Sequence, residues 1–289
     1  GLKGALRHHL EATTRNGRAD GGERDKIRWV FGPDGGGRDG AGEAEGEPSQ
    51  RETRPSDHAG AVAFGDGRLL LFPVRSLAGT FAYCTSAVAV ARLCRDLELA
   101  GASVAWQAPA TPPDGKALVP PGTALAIDRK IVVEDFDLDA VEDPSAAALA
   151  AWLGDHSLPA TQGFDHFRGR IKTHLAVLPD ELFAHVTRLG TVVEPHVKID
   201  DSTGTAAGTA FFYAEHLPPD SLLWSLVGVG RPRGRRDDAG ELERLGLSGA
   251  AGIEAYLRSA LSGRAVQVGA EATTGRGLVH VRFTGETGR

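Results

Sequence analysis

The sequence of 289 residues contains no methionine, only two cysteines and few aromatic residues. Two cysteines are too few for a disulfide framework or a cysteine-based zinc site, so Cys84 and Cys94 are expected to be small buried side chains in a protein of the reducing cytoplasm. The longest apolar run, from Leu69 to Val74, is strand-sized and falls far short of the ~20 residues of a membrane-spanning helix. These absences exclude a disulfide-stabilised secreted scaffold and a membrane-spanning protein.

The sequence also lacks an initiator residue and an excess of positive charge. It opens directly in a helical pattern, with leucine at positions 2, 6 and 10, where a native chain normally places a strand or a cap first. We therefore expect residues upstream of Gly1 in the native protein. The formal net charge is −6, so any binding to nucleic acid would depend on a local group of cations rather than on bulk charge.

Hydrophobic periodicity predicts an α+β fold. Helices are predicted over residues 1–12, 86–99, 145–153, 180–188 and 249–262, and strands over 175–177, 192–199, 205–217, 222–229, 265–268 and 278–283. Two hairpins are predicted, one from 59–64 with 69–74 and one within 124–136, whereas 13–25 and 107–123 are predicted to be loops. Residues 35–58 contain almost no apolar side chain, which predicts a disordered insertion in a single domain over 1–289.

Four segments together resemble one protein family. They are residues 1–7 (GLKGALR), 64–76 (FGDGRLLLFPVRS) followed by 81–86 (FAYCTS), 197–200 (VKID) through 212–218 (FYAEHLP), and 267–269 (QVG) leading to 273–279 (TTGRGLV). Their order and spacing resemble the RAMP-superfamily backbone subunits of type III-B CRISPR effector complexes, the fourth subunit of the Cmr module. The departures are Gly1, where the family usually has serine, Gly65 and Gly67, where it has larger residues, and a long acidic insertion over residues 40–57.

The resemblance implies a ferredoxin-like or RRM-like RAMP core with large insertions, including a β-hairpin thumb. It implies a cytoplasmic subunit, not bound to a membrane, that binds a CRISPR guide RNA, other Cmr subunits and further copies of itself in a filament. Target RNA would be cut at regular intervals by attack of a 2′-hydroxyl on the adjacent phosphate, with a divalent metal ion, Mg²⁺ or Mn²⁺, present. The family's main catalytic aspartate belongs to a loop before the first helix, so we expect it upstream of Gly1.

Two alternatives to the RNA-guided endoribonuclease stay open. The same fold with an inactive site would be a structural RNA-binding subunit of the filament. A self-cleaving, guide-processing relative would need a histidine-based acid–base site. The ten histidines are scattered and show no metal-ligand spacing in the sequence, so we rank the second alternative last.

Lys3 and Arg7 are the first candidates for RNA binding. They lie four residues apart and therefore share one face of the first helix. Two cations near a helix N-terminus are disfavoured by the macrodipole, which makes an anionic partner favourable. Spacing alone favours a solvated polar face, whereas the resemblance implies contact with the guide-RNA backbone.

Two short polar pairs at strand ends are the next candidates. Arg75 and Ser76 end an apolar run, and Thr85 and Ser86 immediately precede a predicted helix. Hydroxyls and backbone N–H groups at a helix start suit phosphate oxygens. Helix capping is the simpler interpretation from these residues alone, and the resemblance implies a place in the guide-RNA groove.

A glycine-rich loop near the C-terminus completes the RNA-binding candidates, which here are Thr274, Gly275, Arg276 and Gly277. Glycine lets a backbone approach a ligand closely, and arginine offers a forked donor to phosphate. The loop lacks the Gly-Lys-Ser/Thr ending of a nucleoside-triphosphate loop. A flexible hairpin loop without ligand is the alternative, and the resemblance favours RNA contact.

Two carboxylates are candidates for catalysis. Glu215 would be a supporting acid–base group or a metal-facing carboxylate, with a structural ion pair as its alternative role. Asp66 is a weaker candidate, because a turn between glycines favours aspartate for local reasons. No metal ligands are assigned.

Two further features are left open or set aside. The turn around Asp128, Arg129 and Lys130 would be either the thumb or an ordinary surface ribbon. The cluster of four arginines between Arg231 and Arg236 is followed by two aspartates and is interpreted as a solvated loop.

Overall fold

The structure is a computed structural model that describes residues 1–16, 21–33, 58–199, 202–234 and 238–284. The chain divides into two compact units: unit 1 comprises residues 1–66 and 225–284, and unit 2 comprises residues 67–224. A single domain over 1–289 stays a prediction. The insertion predicted at 35–58 lies outside the described residues, except for His58.

The described chain alternates helices and strands, which confirms the α+β class. The helices are α1 (Leu2–Asn16), α2 (Gly21–Phe31), α3 (Ala87–Leu99), α4 (Pro144–His156), α5 (Asp165–Thr173), α6 (Asp180–Leu189), α7 (Ala239–Arg244) and α8 (Gly249–Leu261). The strands are β1 (Val62–Phe64), β2 (Arg68–Arg75), β3 (Phe81–Ser86), β4 (Lys116–Val119), β5 (Lys130–Val133), β6 (Phe136–Glu142), β7 (Leu175–Leu178), β8 (Val192–Ile199), β9 (Ala206–His216), β10 (Leu222–Trp224), β11 (Val227–Val229), β12 (Ala265–Gln267) and β13 (Leu278–His280).

Unit 1 is built around the apolar faces of its helices. Leu6 and Leu10 of α1 are buried against α2 and α8, as the leucine spacing predicts. The prediction of a loop over 13–25 is wrong, because α1 continues to Asn16 and α2 begins at Gly21. Ile27 and Val30 of α2 are three residues apart and almost fully buried, so packing stabilises a helix whose polar first half gave little local indication of one.

The strands of unit 1 pair over long sequence distances. Strand β1 pairs antiparallel with β11, with Val62 opposite Val229, and β12 pairs antiparallel with β13. The predicted hairpin of 59–64 with 69–74 is therefore wrong, since β2 pairs with β3 and β10 in unit 2. Local alternation of apolar residues predicts strands but does not determine their partners.

Unit 2 is organised by a seven-stranded mixed sheet with strand order β10-β2-β3-β7-β4-β6-β5. The neighbouring β2 residues Leu71 and Phe72 enter different clusters: Leu71 packs with α3 and α4, and Phe72 packs with α6. Both are fully buried. A sheet covered on both faces explains why this segment is a continuous apolar run rather than an alternating one.

The predicted loop over 107–123 contains a central strand. Strand β4 lies between β7 and β6, and its Ala117 and Val119 are fully buried. Prolines flank this four-residue segment at positions 113 and 120, so local composition favours a loop while the sheet on either side stabilises a strand.

The predicted hairpin within 124–136 is shifted in the structure. Asp128 and Arg129 both have positive φ and make a tight turn closed by Ile127 and Lys130, as a two-residue turn requires. The regular hairpin that follows consists of β5 and β6. Because β5 is the edge strand of the main sheet and Ile131 is fully buried, this turn is anchored in the sheet.

Strands β8 and β9 form a separate two-stranded sheet, hereafter the ribbon, as their extended patterns predict. They are joined through a turn that includes Gly204 at positive φ. None of the helices in the described parts of the chain has both the length and the apolar character needed to cross a membrane.

Candidate nucleic-acid interface

The cations of α1 are engaged by groups of unit 1. The Lys3 Nζ atom donates to the Val62 carbonyl at 2.9 Å, and burial, together with the charge of Arg7, lowers the pKa of Lys3. The Arg7 side chain, 19% exposed, bonds Glu11 at 2.7 Å and the Gly32 carbonyl at 3.1 Å. Both side chains therefore hold α1 to its neighbours, and their contact with RNA stays a prediction.

A polar groove of about 580 Å³ runs between α1 and α2. Its lining includes Arg7, Arg24 and Arg28, with Glu11 and Asp25 as the acidic members. Sequence reasoning missed Arg24 and Arg28 because it assigned Arg24 to a loop. Their spacing of four residues, which places them on one face of a helix, is the pattern that could have revealed them.

The glycine-rich loop joins β12 to β13 and is fixed by its own backbone. Thr274 Oγ1 donates to the Glu271 carbonyl at 2.8 Å, and the Arg276 N–H donates to the same carbonyl at 3.1 Å. Gly275 and Gly277 adopt φ of 80° and 73°, a conformation that favours glycine. Thr274, Gly275 and Gly277 are exposed and Arg276 is half-buried, so the loop presents backbone and hydroxyl groups to solvent in a defined conformation.

The first helix and this loop belong to the same folded unit. Leu6 and Leu10 of α1 and Val266 of β12 are buried in one hydrophobic cluster. Helix α1 contacts β12, and burial and the nearby charge of Arg264 lower the pKa of His9. Unit 1 therefore brings the helix of Lys3 and the strand leading to the loop together.

Arg75 and Ser76 lie at the end of β2 in unit 2. The Arg75 guanidinium is 84% exposed and pairs with Glu134 at 2.5 Å, and the hydrogen bond and charge of Glu134 raise the pKa of Arg75. The Ser76 N–H bonds the Thr80 carbonyl, while its buried hydroxyl has no partner within the described residues. Arg75 is thus a surface cation that an RNA phosphate could reach.

Thr85 and Ser86 lie inside unit 2 rather than on its surface. Ser86 is the N-cap of α3 and its hydroxyl accepts from the Ala89 N–H at 3.4 Å, which is the capping role that the residues alone favour. Thr85 is fully buried, and its hydroxyl has no hydrogen-bond partner in the described part of the chain. RNA contact by these two side chains stays a prediction, and their burial gives it no support.

The ribbon presents a row of apolar side chains that sequence reasoning missed. Phe211 and Tyr213 of β9 lie on one face with their rings 5.0 Å apart, and they are 55% and 65% exposed. Val193 and Val197 of β8 share that face and are also exposed. Three consecutive aromatic residues, Phe211 to Tyr213, in a predicted strand were the available indication, because they place aromatic side chains on both faces of the strand and exposed aromatics commonly mark a binding surface.

The two catalytic candidates lie in different units. Glu215 is exposed on the same face of the ribbon as Tyr213, and it accepts a hydrogen bond from the Thr191 hydroxyl at 2.7 Å. Asp66 is exposed in the loop between Gly65 and Gly67. Their roles in catalysis stay predictions.

A model of the RAMP superfamily matches residues 1–280 of the chain. The chain belongs to the RAMP superfamily. The match includes both the first helix and the glycine-rich loop, so the resemblance inferred from the four sequence segments is confirmed.

Individual RAMP proteins are similar along almost the whole chain. The CRISPR system Cmr endoribonuclease Cmr4 of Pyrococcus furiosus is 27% identical over 280 residues, which cover 97% of this chain and 80% of Cmr4. The crystal structure of oligomeric Cmr4 from Pyrococcus furiosus matches with a TM-score of 0.62 at 24% identity, covering 98% of this chain and 85% of that one. A chain of the cryo-EM structure of the type III-B Cmr-beta bound to cognate target RNA matches with a TM-score of 0.59 at 16% identity, covering 97% and 81%.

The structural similarities confirm the RAMP fold class. Sequence reasoning assigned the turn around Asp128, Arg129 and Lys130 either to the thumb or to an ordinary surface hairpin, and that choice stays a prediction. In this RAMP chain that turn is attached to the edge of the main sheet, whereas β8 and β9 pair with each other in a sheet of their own. The ribbon is a second element of the chain to which the predicted thumb could correspond.

Proposed function

We propose that this chain is the guide-RNA-binding backbone subunit of a type III-B CRISPR complex that targets RNA. The proposal includes further copies of the chain in a filament, other Cmr subunits and a target RNA as its partners. The observation that carries it is the match to the endoribonuclease Cmr4 over 97% of the chain. Such coverage leaves no large element of the described fold without a counterpart.

The ribbon supplies a physical basis for binding single-stranded RNA. Bases of any sequence stack on aromatic rings, and each stacked base contributes roughly 1–3 kcal/mol. Phe211 and Tyr213 are the exposed aromatic side chains that share one ribbon face. We assign to this face the task of contacting bases along the guide or between guide and target.

Few phosphate contacts are required of each copy. Arg75 places its guanidinium group on the surface, and the glycine-rich loop exposes Thr274, Gly275 and Gly277. A filament in which every copy contributes a small number of such contacts reconciles RNA binding with a net charge of −6, because contacts add along the RNA.

The proposal includes cleavage of target RNA by this subunit, by analogy with its relative. The relative Cmr4 is named an endoribonuclease, and attack by a 2′-hydroxyl depends above all on in-line geometry. Glu215, held by Thr191, is the residue we assign to positioning or proton transfer. Participation of Mg²⁺ or Mn²⁺ is part of the proposal, and such an ion would supply charge neutralisation at the phosphate.

The described residues do not form a protein site suited to that ion. Mg²⁺ prefers oxygen ligands, yet the one group of three or more candidate ligands within the described ranges contains two histidines. If a divalent ion takes part, Glu215 is the residue of the proposed site whose carboxylate would face it, and the ion would supply charge neutralisation.

The binding proposal is tested with a double variant of the ribbon. Phe211→Ala combined with Tyr213→Ala is expected to weaken binding of a guide RNA to the full-length chain by about 10- to 100-fold, as loss of one or two stacked bases predicts. The salt dependence should not change, because the rings carry no charge. Filter binding measures both quantities.

Phe167→Ala is the matched control, since Phe167 is an exposed aromatic residue of α5 outside the ribbon. It should bind guide RNA like the unmodified chain. Equal affinity of the ribbon variant and this control would contradict the proposed role of the ribbon.

The structural, non-catalytic subunit is the second candidate function. The assembled complex decides between the two: cleavage of target RNA that falls with Glu215→Gln while RNA binding persists supports the enzyme. Binding without cleavage at any Mg²⁺ or Mn²⁺ concentration supports the scaffold.

A further inference from the structure

Three potential metal ligands meet on the ribbon, on the face opposite Glu215. Glu194 and His196 come from β8 and His216 from β9, and one ligand atom of each lies within 4.8 Å of the other two. The register places all three on one face, because Val192 pairs with His216 and residues 192, 194 and 196 alternate with the opposite face. The cluster therefore joins both strands.

The histidines of this cluster have unsatisfied nitrogen atoms. The Nε2 atoms of His196 and His216 are buried, and neither has a hydrogen-bond partner among the residues that the structure describes. Buried polar atoms without a partner are uncommon in folded proteins and require an explanation. A cation shared with Glu194 would supply a partner to these histidines.

The chemistry of the donors determines the class of cation. Imidazole nitrogen suits Zn²⁺ and its transition-metal neighbours, whereas Mg²⁺ and Ca²⁺ prefer oxygen. Two histidines and one glutamate form a three-ligand zinc set that leaves a fourth position for water or substrate. With Zn–ligand bonds of about 2.0–2.2 Å, the ligand atoms of a tetrahedral site are about 3.4 Å apart. The three ligand atoms here lie within 4.8 Å of one another, so small side-chain rotations would bring them to that distance.

The surroundings hold part of this arrangement in place. The His196 ring stacks on Phe212, with ring centroids 5.0 Å apart and an interplanar angle of 7°. All three ligands are half-buried, which limits competition by solvent while leaving an entry path.

We propose that Glu194, His196 and His216 form a Zn²⁺ site that fastens the two strands of the ribbon to each other. An isolated two-stranded hairpin is only marginally stable in water, so a cross-strand metal would set the conformation of the surface that carries Phe211 and Tyr213. The site is separate from the cleavage chemistry and does not depend on the proposed function.

The test uses the full-length, metal-stripped chain without an affinity tag. Titration with ZnCl₂ alone in a calorimeter is expected to give one saturable site per chain. His196→Gln and His216→Gln should each weaken Zn²⁺ binding by more than about 100-fold. Loss of a residue that only hydrogen-bonds to a metal ligand already weakens binding by roughly 10- to 100-fold, and loss of the ligand itself should cost more. Co²⁺ in place of Zn²⁺ should give the visible absorption of a four-coordinate site in the unmodified chain, and this absorption should be lost in the two cluster variants.

His166→Gln and His8→Gln are the matched controls, because both histidines are exposed and lie outside the cluster. They should bind Zn²⁺ like the unmodified chain. If a histidine variant has an altered circular dichroism spectrum, Glu194→Gln replaces it as the deciding variant. The proposal is overturned by the absence of a stoichiometric site, by equal binding in cluster variants and controls, or by displacement of Zn²⁺ by an equal concentration of Mg²⁺.

Discussion

Gly277→Ala is the substitution that most sharply tests the conformation of the glycine-rich loop. Gly277 has a φ of 73°, and a Cβ atom there would overlap the Val268 carbonyl oxygen. The same pair of residues closes the loop, since the Val268 N–H donates to the Gly277 carbonyl at 2.8 Å. An alanine therefore forces the backbone of β12 and the loop apart.

Gly275→Ala separates this clash from backbone strain. Gly275 has a φ of 80°, but no described atom lies within 4 Å of a Cβ built there. The left-handed conformation costs alanine roughly 1–2 kcal/mol, and reduced freedom of the unfolded chain offsets about 0.4–1 kcal/mol. Gly275→Ala should thus cost about 1 kcal/mol.

Gly277→Ala carries the same backbone strain, and in addition the Cβ clash with Val268 and a weaker Val268–Gly277 hydrogen bond destabilise the protein. We expect about 3 kcal/mol in total, that is about 2 kcal/mol more than for Gly275→Ala. With a slope of about 2 kcal/mol per molar urea, the unfolding midpoints of the two variants should differ by about 1 M. Equal midpoints in urea titrations followed by circular dichroism would refute this account of the loop.

Three further predictions concern unit 2. Asp96, 8% exposed, accepts hydrogen bonds from Trp224 and Arg95 and pairs with Arg68, so Asp96→Ala should destabilise the protein by about 2–4 kcal/mol in urea unfolding. Burial raises the pKa of Asp96, but these hydrogen bonds and charges outweigh burial and lower the pKa overall. The stability that ionised Asp96 contributes should therefore be complete above the unfolded pKa of about 3.9 and should disappear as the pH falls through the lower pKa of the folded state. Urea unfolding midpoints measured across the acid pH range test this. Thr85→Val removes a buried hydroxyl that lacks a partner among the described residues and should stabilise the protein by about 1 kcal/mol, whereas a loss of stability would reveal a partner for that hydroxyl.

The elements that sequence reasoning predicted correctly are those with a strong local pattern. Ser86 before an apolar-periodic segment predicted the start of α3, and the structure shows the cap. The continuous apolar run of β2 predicted a strand, and burial on both sheet faces accounts for it. In both segments the local preference and the tertiary environment agree.

The failures occurred where tertiary contacts decide the structure. Strand β4 lies between prolines and is stabilised by pairing with β6 and β7. The first half of α2 is polar, and its second half is apolar and is buried in the folded unit. The pairing of β1 with β11 joins segments about 165 residues apart in sequence, a separation that no local pattern encodes.

The candidate sites show the same division. Residue type and spacing identified cations and a glycine-rich loop, but not that Lys3 and Arg7 would be engaged by backbone carbonyls. They also gave no indication of the metal-ligand cluster, because His196 and His216 are twenty positions apart and meet only when β8 and β9 pair. Ligands brought together by strand register are invisible to spacing rules written for a single segment.

The most direct test of the RNA-binding account is ultraviolet cross-linking of the full-length chain to a guide RNA, with the cross-linked residues identified by mass spectrometry. The account predicts cross-links at Phe211 and Tyr213 of the ribbon and within the loop from Thr274 to Gly277. Cross-links confined to other surfaces, or none at RNA concentrations that saturate binding, would contradict it.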